Sequence, residues 1–73
     1  MKITYDASVD AAYIYLTDNP KPDGVARTYS CDPTEVNGEI NLDFDTAGRL
    51  IGIEVLDASK RLPDRLLADL RSQ

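Results

Sequence analysis

Residues 7–16, Ala7-Ser8-Val9-Asp10-Ala11-Ala12-Tyr13-Ile14-Tyr15-Leu16, admit two readings, and the fold turns on which one holds. Val9, Ala12, Tyr13 and Leu16 fall at helical spacing, which would make the stretch one amphipathic helix. The rival is a strand over Ala11–Thr17, with Ala12, Ile14 and Leu16 inward and Tyr13 and Tyr15 outward. Tyr-Ile-Tyr-Leu is aromatic and β-branched, and such residues pack well on a pleated surface. The strand is the better reading.

The flanks agree with it. Met1–Tyr5 alternates as a short strand, and Asp6–Asp10 carries turn residues, with Asp6 able to bind amides just downstream. Asp18–Gly24, with two prolines, an asparagine and a glycine, is a surface loop. Val25–Cys31 alternates with neither face strongly apolar, the mark of an edge strand; Asp32-Pro33-Thr34-Glu35 breaks it and Asn37-Gly38 adds a turn. Glu39–Asp45 is the cleanest strand, with Ile40, Leu42 and Phe44 on one face and Glu39, Asn41, Asp43 and Asp45 on the other. Asp45–Arg49 then closes a hairpin in which Gly48 supplies a positive φ. On the return strand, Arg49–Leu56, Ile51, Ile53 and Val55 share one face. Leu50, Gly52, Glu54 and Leu56 share the other, which is apolar enough to need a cover. A helix after Pro63, with the stripe Leu62, Leu66, Leu67 and Leu70, is expected to supply it. The fold class is therefore α+β: an antiparallel β-meander of about five strands with one C-terminal helix packed on the sheet.

The 73 residues form one small domain, 1–57 the meander and 58–73 a turn and helix, whose core leaves only about 3–5 kcal/mol of net stability. A net charge of −5 opposes nucleic-acid binding, which needs a cationic face. The charge is uneven: residues 1–57 hold 4 of the 8 basic and 11 of the 13 acidic side chains. An acidic body favours cationic partners. With no histidine and one cysteine, Cys31, the chain lacks the usual metal-binding, redox and nucleophilic arrangements, and no disulfide can form within it. Cys31 itself reads as a small buried hydrophobe. No signal peptide or membrane span is visible, and a lone thiol fits a reducing cytoplasm.

The row Glu39, Asn41, Asp43 and Asp45 could in principle hold a hard cation. The spacing is unlike an acidic calcium loop, and a solvated strand face explains the row better. Paired-carboxylate catalysis needs a cleft that raises one pKa, and no such cleft is indicated. We therefore expect no enzyme activity, no catalytic residue, no cofactor and no metal. Tyr13, Tyr15, Glu39, Asp43, Asp45 and Glu54 are the candidate partner-binding residues, since tyrosines favour interfaces and the acids suit a basic surface. Asp57 and Ser59 read as ending the last strand by side-chain bonds to nearby amides.

Tyr5-Asp6 followed by Asp10-Ala11-Ala12-Tyr13-Ile14-Tyr15-Leu16, then Leu42-Asp43-Phe44-Asp45 with Gly48-Arg49-Leu50, then Gly52–Ser59, resembles the small prokaryotic family called domain of unknown function 2283. The resemblance covers about residues 1 to 60 and supports the strand at Ala11–Thr17. Asp32–Asn37 and the helix after Pro63 depart from its pattern. It implies a short stand-alone protein, antitoxin-like in some members, encoded beside a small ribonuclease-type toxin. The expectation is a cytoplasmic protein-binding module that inhibits a basic partner, without membrane or nucleic-acid binding. The alternatives are a homo-oligomeric structural protein, a homodimer at its simplest, and a small acidic metal-dependent factor.

Overall fold

The computed structural model describes residues 1–17 and 24–72. The expected Asp18–Gly24 loop falls, except for Gly24, outside the described residues. Five strands, β1 (Lys2–Asp6), β2 (Ala11–Tyr15), β3 (Arg27–Ser30), β4 (Ile40–Phe44) and β5 (Leu50–Leu56), make one antiparallel sheet in the order β1-β2-β5-β4-β3. Residues 11–15 are thus strand, as their composition argues. Consecutive strands lie side by side except β2 and β3: the chain crosses to β3 at the far edge and returns through β4 to β5, the last strand, at the centre between β2 and β4. β3 is an edge strand with every residue exposed, as its weak patterning indicates.

Register sorts the side chains into two faces. Ile3, Ile14, Ile53, Leu42 and Tyr29 lie in one row, and Tyr5, Ala12, Val55 and Ile40 in the next. The second row carries the core: Ala12, Val55 and Ala58 are buried, with Tyr5, Ile40, Ile53 and Leu62 packed against them.

Three short α-helices lie among the described residues. α1 (Pro33–Val36) occupies the stretch read as a simple break. The Asp32 carboxylate accepts from the Thr34 amide at 2.9 Å, and Asn37 ends the turn in the left-handed region at φ 51°. α2 (Ala58–Arg61) and α3 (Asp64–Arg71) replace the single expected C-terminal helix, with Leu67 and Leu70 buried as the leucine stripe indicates. They cover the Val55 face rather than the Gly52 and Glu54 face expected from the sequence. Asp57, at φ 52°, swings the chain onto that side. Among the described residues no helix is long and apolar enough to cross a membrane.

The 45–49 hairpin forms as its sequence indicates. Gly48 has φ 82°, and one Asp45 carboxylate oxygen accepts from the Ala47 and Arg49 amides, each at 2.9 Å. Asp6 likewise accepts from the Ser8 amide and hydroxyl at 3.0 and 2.6 Å.

One long-range hydrogen-bonded connection was not visible in the sequence. Asp57 makes no capping bond with its side chain. The cap for α2 comes from Asp10, whose carboxylate accepts from the Ser59 amide at 3.0 Å and the Ser59 hydroxyl at 2.6 Å. The Tyr5 hydroxyl donates to the same carboxylate at 2.8 Å, and the Ala58 amide donates to the Asp10 carbonyl at 2.9 Å. Ser59 thus acts across the fold rather than on nearby amides.

The Ser59 and Tyr5 hydroxyls hold the Asp10 carboxyl below its ordinary range. A depressed folded pKa contributes stability that is complete above the unfolded value of about 4 and is lost as pH falls below it. Ser59→Ala should cost about 1–2 kcal/mol in urea unfolding. The stability gap between wild type and Asp10→Asn should narrow as pH drops below about 4.

Candidate functional site

The sheet face opposite α2 and α3 gathers most of the candidate residues. Register puts Thr4, Tyr13, Glu54, Asn41 and Ser30 in one row and Lys2, Tyr15, Gly52, Asp43 and Thr28 in the next. Tyr13 does not stand straight up from the sheet. Its ring reaches diagonally across Gly52, and its hydroxyl donates to Asp43 Oδ2. Gly52 has to be glycine for this, because a methyl there would overlap the Tyr13 hydroxyl and ring.

Asp43 is only 9% exposed. A buried carboxylate is tolerable when hydrogen bonds replace its lost water. Here Oδ2 takes the Tyr13 hydroxyl and Oδ1 the Thr28 hydroxyl at 2.6 Å. The expectation of a fully solvated acid row fails at this residue. Alternation along β4 gave its face correctly but could not show that a tyrosine two strands away would fold over it. Burial, reinforced by the negative charge of Asp43, pushes the Tyr13 phenol well above its usual range.

Two partners flank this centre. Tyr15 leans against Tyr13 with ring centroids 4.6 Å apart and planes at 52°, a tilted aromatic pair. Glu54 is half-buried and accepts from Asn41 Nδ2 at 2.8 Å, which fixes one carboxylate oxygen. Tyr13, Tyr15, Asp43 and Glu54 are therefore brought together. Glu39 sits exposed at the end of the face, where its carbonyl accepts from the Leu56 amide at 3.0 Å. Asp45 stands apart, its carboxylate occupied in the hairpin turn. Thr28 and Gly52 were missed as members. The signal for Gly52 was a glycine inside an otherwise regular strand; Thr28 could be found only once the β3–β4 register was known.

Chemically, the face is a patch of two tilted phenols beside a hydrogen-bonded carboxylate. Both Asp43 oxygens accept hydroxyl protons, Oδ2 from Tyr13 and Oδ1 from Thr28. Among the described residues no group of three or more His, Cys, Asp or Glu side chains converges to hold a metal ion. Cys31 is a free, half-buried thiol, less buried than its sequence context indicates.

The fold and this face define a small α+β protein: one five-stranded antiparallel sheet with helices on one side and a hydrogen-bonded tyrosine–carboxylate patch on the other. The chain belongs to the family described as "Protein of unknown function (DUF2283)", which matches residues 2–59. That match ends at Ser59, so it includes both ends of the Asp10–Ser59 connection and leaves α3 outside. No curated protein and no solved structure matches the chain.

Gly52→Ala should destabilise the fold by about 1–3 kcal/mol through overlap with Tyr13. Most of that loss should vanish in a Tyr13→Ala background, a non-additivity that a double-mutant cycle reads directly. In an alkaline absorbance titration of the folded chain, Tyr13→Phe should remove the latest-ionising phenol.

Proposed function

We propose that the chain is a non-catalytic protein-binding module that engages a basic partner through Tyr13, Tyr15 and Glu54. One observation carries this reading. α2 and α3 pack on the opposite face, while Asp43, Gly52 and Asn41 hold these three side chains in fixed positions. A tyrosine pair that is already ordered loses little side-chain entropy on binding. The net charge of −5 steers such a surface toward cationic proteins. An antitoxin-like inhibitor of a basic ribonuclease-type toxin, acting in the cytoplasm, is the specific form we favour. Asp43 serves in it by positioning Tyr13, not by touching the partner.

The test begins with the tagged full chain recovered from its native host, where one basic protein should co-purify near one-to-one. Against that protein, Tyr15→Ala and Glu54→Lys should each weaken binding by roughly tenfold or more. Raising ionic strength should weaken the wild type further. A partner held equally well by both variants would sink the proposal.

A further inference from the structure

The sheet face that carries the helices is only half covered. α3 packs mainly on β1 and α2 on β5, whereas every residue of β3 is exposed. On the open half Leu42, Phe44 and Ile51 are half-buried, while Tyr29 is 52% and Leu16 41% exposed. Arg27 stacks its guanidinium over the Phe44 ring, 4.7 Å from the centroid. Among the described strand residues this face bears no carboxylate, although the chain as a whole is acidic. Beneath it the core is thin, with no large side chain fully buried among the described residues.

We infer that a second copy of the chain packs on this half-face, sheet against sheet, about a two-fold axis. The area supports a dimer. The chain exposes 5134 Å², about 600 Å² more than the ~4500 Å² typical of a compact monomer of its 8.1 kDa mass. Exposed Tyr29, Leu16 and Leu50, the last paired with Phe44, put part of that surplus on this half-face, and a standard interface takes roughly 800 Å² from each partner. Charge selects the occupant. A basic protein would meet no carboxylate here and would meet Arg27 instead. Two copies of the chain would join apolar strips and leave the strand carboxylates Asp6, Asp43 and Glu54 on the far face, outside the contact. The exposed Tyr29 and the Arg27–Phe44 pair supply the aromatic and arginine anchors on which such interfaces rely. This surface is separate from the Tyr13 face, so one chain could use both at once.

Sedimentation equilibrium of the full chain at micromolar and higher concentrations should read twice 8.1 kDa. Tyr29→Glu and, separately, Leu16→Glu each place a charge at a site that is already exposed, so the monomer should keep its circular dichroism. Either should raise the dimer dissociation constant by about a hundredfold, because each change enters a symmetric interface twice. Tyr15→Ala, on the opposite face, should leave the dimer intact whether or not the partner-binding proposal holds. A wild-type chain that stays at 8.1 kDa overturns the inference, and so does one that instead binds lipid vesicles. A dimer indifferent to both charge insertions also overturns it, since pairing through strand edges would then be the explanation.

Discussion

Asp10 carries its carboxylate to the one place where the two ends of the sheet's chain path must agree. It closes the β1–β2 connection, accepts the Tyr5 hydroxyl, and caps α2 from outside through Ser59, which lies 49 residues further on. α2 needs that help. At four residues it cannot persist alone, and its own leading residue, Asp57, is turned into the left-handed region and gives no cap. Fixing the start of α2 sets Ala58 and Leu62 against Ala12 and Val55, and so fixes the core itself. Arg71 then reaches back from α3 to within 6.0 Å of the Tyr5 ring centroid. One carboxylate thus couples turn, core and tail.

The two faces of the sheet use polar chemistry for different ends. On the helix side a single charged cluster at the rim locates the cover. On the other side Asp43 is buried in mid-sheet, where an unpaired carboxylate would be costly, and two hydroxyls on strands either side of the β4–β5 hairpin satisfy it. This ties β2 to β3 through side chains although the two strands never pair through their backbones. The same bond that stabilises the sheet also holds Tyr13 in position against Tyr15.

The strands were legible because their information is local. Glu39–Asp45 alternates with period two and ends in a turn whose glycine has one sensible role, and Ala11–Tyr15 could be decided on residue type alone. α1 hid behind its proline, since four residues give no periodicity to detect. The side on which the helices lie depended on the φ of Asp57, which composition does not encode. The bonds of Asp10 and Asp43 join residues far apart in the chain, so only the assembled register could disclose them. For the candidate site, alternation placed Tyr13, Tyr15 and Asp43 on outward faces and Glu54 on the face expected to lie under the helix, and their convergence required the β2–β5–β4 order.

That order also bears on how the protein comes into being. The strand at the centre of the sheet is the last one in the chain. Until residue 56 has been made, β1–β2 and β3–β4 are two separate fragments with nothing to join them, and small two-stranded pieces are marginal in water. The Asp10 carboxylate, too, waits for Ser59. Closure of the sheet therefore waits for β5 and is dominated by contacts between distant residues.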